Sequence, residues 1–165
     1  YFMGEIQMAV EDFDAECRVF WCNTNRGNGA DGNRLEKRMH ERCFAAAWSG
    51  DDHPDEMFNY WEHMRRARRG DLVVMYANGV GAIGIGRVVE SRLELLFPGH
   101  PDRLRDFKTE GQNREEWRIP VQWLAWDEDN PCNVGALRSS FQEITVSSDR
   151  VHEARVCAVR QHFHV

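Results

Sequence analysis

The stretch from Gly70 to Ser91 most constrains what this chain can fold into. Apolar, strand-prone residues run from Leu72 to Ala77, the turn dipeptide Asn78-Gly79 follows, and a second β-prone run extends from Val80 to Val89. Two such runs joined by Asn-Gly are typical of a β-hairpin. Because both runs are apolar, we expect the hairpin to occupy the middle of a sheet.

The glycines of this hairpin also match a dinucleotide-binding motif. Gly79, Gly81 and Gly84 form G-x-G-x-x-G, which binds a pyrophosphate only where a helix begins directly after the glycines. Ile83, Ile85 and the valines that follow are β-branched and lack a helical period, which argues against a dinucleotide fold. Glycines inside a strand more often indicate a bend, or the close approach of another group.

Length and charge limit the classes of protein to consider. The chain has 165 residues and is expected to form a single domain, with residues 1–16 as an N-terminal arm. Tyr1-Phe2 precede Met3 and are interpreted as an addition to the natural chain. A net charge of −6 argues against a general nucleic-acid coat, but it is compatible with a small basic face.

The cysteine pattern predicts a reduced protein. The five cysteines are scattered and include no C-x-x-C pair, and the chain has no long apolar span. We therefore expect a cytoplasmic protein with no disulfide, no metal, no cofactor and no membrane association.

Other segments predict a mixture of strands and helices. A polar loop of Asn, Gly and Asp follows the first strand; it is either a ligand-binding loop or an ordinary surface loop. The segment 92–115 is a long polar excursion, and such connections are usually functional or mobile. The predicted elements are a strand over 18–23, a helix over 34–42, a helix from 51–54 to 69, a strand over 116–126, and a last segment over 149–159 that fits a helix or a strand.

Three segments, taken in order, resemble the PUA superfamily and, within it, the EVE and YTH-like branch. They are Val19–Asn25 (VFWCNTN), Gly70–Tyr76 (GDLVVMY) and Ile83–Val88 (IGIGRV), and the resemblance spans roughly residues 18–126. It implies an α+β fold with a small, strongly curved mixed sheet, close to a barrel, and helices packed outside. It also implies a pocket for one modified base, and some bacterial members are the target-recognition modules of modification-dependent restriction systems.

The resemblance assigns a base-binding pocket to this chain. A modified base in a duplex must leave the stack before its altered edge can be read, which costs a few kcal/mol, and aromatic faces recover about 1–3 kcal/mol per stacked base. Two tryptophans are the stacking candidates, amide side chains read the base edge, and one carboxylate accepts from an exocyclic amine. These residues are Trp21 and Trp48 for stacking, Asn23 and Asn25 for reading, Tyr76 and Asn78 as second choices, and Asp127 as the carboxylate.

Basic residues around the pocket are expected to contact phosphates without reading sequence. Four arginines crowd the segment before Gly70, where they complement a helix end or contact phosphate. The candidates are Arg26, Arg34, Lys37, Arg65, Arg66 and Arg87. The expected partner is nucleic acid, DNA with a methylated or hydroxymethylated cytosine or a methyladenine, together with an effector nuclease in the same chain or a separate one.

An enzymatic interpretation is the alternative. The ASCH branch of the same superfamily includes small amidohydrolases that act on acylated nucleosides through a lysine, a threonine and a glutamate. Here the corresponding candidates are Lys37 or Lys108, Thr24 and Glu90, but no nucleophile–base pair is visible, so no catalytic residue is predicted. The Lys-Ser-Asn run of YTH proteins and the Lys-Ser-Glu-Pro-like turn of EVE proteins are both missing, which leaves the preferred base open.

Overall fold

The structure is a computed structural model. It describes residues 17–24, 34–48, 61–104, 115–135, 137, 141–144 and 150–165, with the backbone alone at Trp61 and Glu62. The predicted arm over 1–16, most of the polar loop with Asn25 and Arg26, and the predicted helix start at 51–54 lie outside the described residues.

The described residues form a mixed sheet with three helices. The elements are β1 (Val19–Thr24), α1 (Leu35–Glu41), β2 (Phe44–Trp48), α2 (Trp61–Met64), β3 (Leu72–Ala77), β4 (Gly81–Val88), β5 (Glu94–Leu96), β6 (Glu116–Trp126), β7 (Phe141–Ile144) and α3 (Arg150–Phe163). No helix in these ranges is long and apolar enough to cross a membrane.

The sheet curls until its two ends approach each other. Its strand order is β2-β6-β4-β3-β1-β7, and β5 pairs with β6. Strands β1 and β3 are parallel, and the other pairs are antiparallel. Cys22 Sγ of β1 lies 3.8 Å from the carbonyl oxygen of Ala46 in β2. The predicted α+β class, with a strongly curved and nearly closed mixed sheet, is confirmed.

The predicted central hairpin is also confirmed. Strands β3 and β4 pair around Asn78-Gly79, and Gly79 has φ +77°, which suits an Asn-Gly turn. The glycine-rich run lies inside β4 and no helix follows it, so the dinucleotide interpretation is excluded. A Cβ at Gly84 would press on the Trp126 ring, which explains that glycine as a site of close approach.

Two apolar clusters cover the two faces of the sheet. Along β1 the side chains alternate, so Phe20 and Cys22 pack in one cluster with Met39 of α1. Val19 and Trp21 pack in the other, which α3 covers with Val156 and Val159. We call these the inner cluster and the α3 cluster.

Two segments differ from what the sequence indicated, and the structure decides a third. Phe44–Trp48 is strand β2, although its three alanines have no strand signal. The helix before Gly70 ends at Met64, so the arginines at 65–69 lie in turns rather than in a last helical turn. The last segment, predicted as a helix or a strand, is the helix α3, which ends at Phe163.

Candidate functional site

Three of the predicted base-binding residues lie together on the α3 face of the sheet. Trp21 and Asn23 are two residues apart in β1, and Asn23 is in register with Tyr76 of β3. The Trp21 and Tyr76 rings lie 5.7 Å apart, tilted by 32°. Parallel pairing of β1 with β3 therefore brings an indole, an amide and a phenol to one face near the carboxyl ends of both strands.

Two polar atoms of this group are buried without a partner. Within the described part of the chain, neither Trp21 Nε1 nor Asn23 Oδ1 has a hydrogen-bond partner. The amide nitrogen of Asn23 donates to the carbonyl oxygen of Leu137 at 2.7 Å. Unpaired buried polar atoms are uncommon in folded proteins and cost about 1–3 kcal/mol each. The face thus holds an unused donor and an unused acceptor on neighbouring same-face positions of β1.

Trp21 and Trp48 do not form two walls of one pocket. Trp21 is fully buried in the α3 cluster, whereas the half-buried Trp48 packs against the inner cluster. Trp48 Nε1 donates to the buried Glu116 carboxylate at 3.2 Å. The predicted pair of stacking tryptophans is therefore wrong, because adjacent positions of a strand face opposite sides of a sheet and the sequence does not say which side each strand presents.

The remaining pocket candidates have structural contacts of their own. Asn78 is half-buried in the β3–β4 turn, where its N–H donates to the carbonyl oxygen of Thr24 at 2.9 Å. Asp127 is exposed, and its Oδ1 accepts from the N–H groups of Asp129 and Asn130 at 3.1 and 3.0 Å. Asp127 therefore stabilises the turn after β6.

The predicted phosphate-binding residues separate into two groups. Arg34 and Lys37 belong to the α1 region and pair with Glu128 at 3.1 Å and Glu41 at 3.9 Å. The second group surrounds Gly70. Its members are Arg65, whose guanidinium lies 5.5 Å from the centroid of the Trp117 ring, Arg66, which pairs with Glu143 at 3.3 Å, and Arg87, which donates to the Gly70 carbonyl oxygen at 3.1 Å.

Sequence reasoning missed an aromatic cluster between α1 and the end of β6. His40 stacks on Trp126 with centroids 4.2 Å apart, and Trp123 meets Trp126 edge-on at 5.2 Å. Trp126 Nε1 donates to Glu128 at 3.2 Å. Residues three apart in a regular strand face opposite sides, and the irregular register between β4 and β6 at Ile85 turns both tryptophans to the inner cluster. Trp117 and Trp123 are both half-buried against that same cluster.

Comparisons with known proteins leave the family open. No family model matches the chain, and no curated protein matches it. Among solved structures, the chain is similar to the crystal structure of protein Atu2648 from Agrobacterium tumefaciens, with 15% identity and a TM-score of 0.33, over 84% of this chain and 93% of that one. A likeness with that TM-score carries no argument about fold or function.

Of the amidohydrolase candidates, Lys108 lies outside the described residues, and the other three do not come together as a catalytic group in the described part of the chain. Thr24 is 2% exposed, and its single hydroxyl proton has two acceptors within reach, Glu36 Oε2 at 3.5 Å and the Tyr76 carbonyl oxygen at 3.4 Å. Lys37 is exposed beside Glu41, and Glu90 lines a surface groove of about 570 Å³ with Arg42 and other residues. Among the described residues, no group of three or more His, Cys, Asp or Glu side chains could hold a metal ion.

Proposed function

We propose that this protein binds nucleic acid and reads a modified base that has left the duplex stack. The observation that carries the proposal is the unused donor and acceptor on the α3 face, Trp21 Nε1 and Asn23 Oδ1, beside the Tyr76 ring. Every nucleobase carries adjacent donors and acceptors on its Watson–Crick edge. The buried donor and acceptor can form hydrogen bonds with such an edge. Binding then recovers the free energy that was lost when these two atoms were buried without partners.

The bound base displaces the contact between β1 and Leu137. Release of the Leu137 carbonyl frees the Asn23 amide to donate and accept at the base edge, which is the bidentate geometry that amides use with bases. Giving up that hydrogen bond costs about 1 kcal/mol. Tyr76 is buried in this structure and becomes the stacking surface, worth about 1–3 kcal/mol, only once the base has displaced its cover. Trp21 then supplies a donor rather than a wall.

The arginines around Gly70 supply the phosphate contacts. They lie at the start of β3, whereas Asn78 lies just past its end. A strand advances about 3.3 Å per residue, so the six residues of β3 separate these ends by about 17 Å. That distance is about five nucleotide steps of a duplex strand. A nucleic acid that runs along β3 can thus present a base at one end of the strand and its backbone phosphates at the other.

A binding panel with defined duplexes tests the proposal. The protein is titrated with labelled duplexes of one sequence that carry no mark, 5-methylcytosine, 5-hydroxymethylcytosine or N6-methyladenine. We expect one mark to bind most tightly, and a 2-aminopurine placed beside it to gain fluorescence as the base leaves the stack. All affinities should fall as the salt concentration rises from about 50 to 200 mM.

Asn23→Ala is the deciding variant, and Asn133→Ala, which removes an exposed amide, is its control. Loss of a bidentate amide contact should reduce preference for the mark by about fivefold to a hundredfold, while the control retains it. Equal binding of all duplexes by the unsubstituted protein would contradict the proposal. Turnover of an N-acylated nucleoside, followed by chromatography, would favour the amidohydrolase alternative.

A further inference from the structure

The acidic chain carries a concentrated positive surface around Gly70. Six arginines meet there, and all but the half-buried Arg87 are exposed. They are Arg18, Arg65, Arg66, Arg68, Arg69 and Arg87. We call this set the Gly70 arginine surface. Arg18 comes from the segment before β1 and Arg87 from β4, so the fold assembles the surface from three separate parts of the chain.

Backbone carbonyl groups orient several of these guanidinium groups. Arg18 Nη1 donates to the Arg66 carbonyl oxygen at 3.0 Å, Arg68 Nη1 to that of Arg65 at 2.8 Å, and Arg87 Nη1 to that of Gly70 at 3.1 Å. A carbonyl oxygen fixes the position of a guanidinium but does not neutralise its charge. These contacts therefore hold the guanidinium groups in place.

Two carboxylates accompany the surface, and they differ in accessibility. Asp71 is buried and accepts the backbone N–H groups of Arg18 and Arg68 at 3.1 and 2.7 Å. Glu143 of β7 reaches the guanidinium groups, with its oxygens 3.8 Å from Arg18 Nε and 3.3 Å from Arg66 Nη1. Its backbone N–H donates to His63 Nδ1 at 3.0 Å, which fixes it at this position.

We propose that the Gly70 arginine surface binds the phosphate backbone of a nucleic acid and that Glu143 is the built-in competitor of that phosphate. The Glu143 carboxylate occupies the donors that a phosphate would use, so a phosphate must displace it. Phosphate contacts carry no sequence information. Glu143 therefore lowers affinity for all duplexes alike, so that stable binding depends on the base-reading face. Only the choice of nucleic acid as the anion rests on the function proposed above.

Glu143→Gln tests the competitor, and Glu41→Gln is the matched control. Both substitutions remove one negative charge, but within the described residues Glu41 pairs with Lys37 of its own helix and not with the Gly70 arginine surface. Ion pairs of this kind contribute about 0.2–1 kcal/mol each and Glu143 makes two, so Glu143→Gln should tighten binding of an unmarked duplex about twofold to thirtyfold. We expect Glu41→Gln to change it less than about twofold. Marked and unmarked duplexes should shift by the same factor.

Equal affinities of the two variants would overturn the proposal. The double substitution Arg66→Gln, Arg69→Gln provides an independent measurement, because losing two phosphate contacts should reduce the slope of log K against log salt by about 2. An unchanged slope would contradict the phosphate surface itself. Failure of the base-reading function is distinguishable, since it shows as equal binding of marked and unmarked duplexes by the unsubstituted protein, whatever Glu143→Gln does.

Discussion

Trp21 and Trp123 differ in whether the indole N–H has a hydrogen-bond acceptor in the described residues. Trp21 is fully buried, and within the described residues its Nε1 has no acceptor. Trp123 is half-buried, and its Nε1 donates to the Met39 carbonyl oxygen at 3.2 Å. Burial alone predicts that replacing Trp21 by a smaller ring lowers the free energy of unfolding more than the same replacement at Trp123. The unpaired N–H of Trp21 predicts the opposite order.

We expect Trp21→Phe to destabilise the protein less than Trp123→Phe. Both substitutions leave a smaller ring, with a cavity cost of about 1–3 kcal/mol. Trp21→Phe also removes an unsatisfied donor and regains about 1–3 kcal/mol, whereas Trp123→Phe leaves the Met39 carbonyl oxygen without its donor. Urea unfolding followed by far-UV circular dichroism measures the difference. A larger loss of unfolding free energy for Trp21→Phe would show that Trp21 Nε1 is satisfied in the folded protein.

Strand β6 connects most of the sheet, and a buried ion pair lies at its beginning. Glu116 and Arg118 are both buried, with Oε2 of Glu116 2.6 Å from Arg118 Nη2. Oε1 of the same carboxylate accepts from Trp48 Nε1 at 3.2 Å and from the Leu104 N–H at 2.9 Å. The Arg118 guanidinium lies 4.3 Å from the centroid of the Phe44 ring. One carboxylate thus joins β6 to β2 and to the segment that ends at Leu104.

We expect Glu116→Gln to reduce the free energy of unfolding by about 3–5 kcal/mol, because it leaves the buried Arg118 charge without its counter-ion. Glu94→Gln is the control, since Glu94 is in register with Arg118 but is exposed. Its effect should stay within about 0.5 kcal/mol. Chemical unfolding of both variants provides the comparison. Similar losses of unfolding free energy would show that the buried ion pair stabilises the fold no more than an exposed glutamate does.

Strands β4 and β6 approach closely where Gly84 faces the Trp126 ring. A Cβ at Gly84 would overlap the Trp126 ring, whereas a Cβ at Gly135 would lie 3.2 Å from the flexible end of Arg155. Overpacking of a rigid contact costs about 1–3 kcal/mol. Gly84→Ala should therefore lower the melting temperature clearly, and Gly135→Ala should barely change it. Thermal unfolding by calorimetry would contradict the assignment if both variants melted together.

These same elements show which parts of the fold could be predicted from the sequence. The β3–β4 hairpin and β6 could be predicted because their signals are local: an Asn-Gly turn and long apolar runs. Strand β2 could not, since Phe-Ala-Ala-Ala-Trp has no period and alanine favours helix. The face that Trp21 and Trp48 present depends on pairing between distant strands, which no local pattern encodes. Local signals thus predicted individual strands, the curved fold class came from the resemblance of three segments to a known superfamily, and the arrangement of the site could not be predicted.

At the scale of the whole molecule, the nearly closed sheet isolates Cys22 from water. Its thiol lies between β1, α1 and β2, with Sγ 3.9 Å from Met39 Sδ and 3.8 Å from the Ala46 carbonyl oxygen. Burial raises the pKa of the Cys22 thiol from about 9.0 to about 12, and the hydrogen bond to Ala46 acts weakly in the opposite direction. Ionisation of this thiol therefore requires that the barrel-like sheet open.

This coupling predicts how stability depends on alkaline pH. Below pH 9 the Cys22 thiol is protonated in the folded and unfolded protein alike, so it adds no pH dependence. Between pH 9 and 12 only the unfolded chain ionises, so unfolding becomes easier by about 1.4 kcal/mol per pH unit. Cys22→Ala should lower stability at pH 8 by leaving a small cavity, yet show a shallower decline from pH 8 to pH 10. Cys157→Ala, which removes an exposed thiol, is the control. Urea unfolding measures the three curves, and parallel curves would contradict this prediction. They would mean that Cys22 ionises without opening the sheet, and that β1 and β2 pack less tightly than the contact between Cys22 and Ala46 requires.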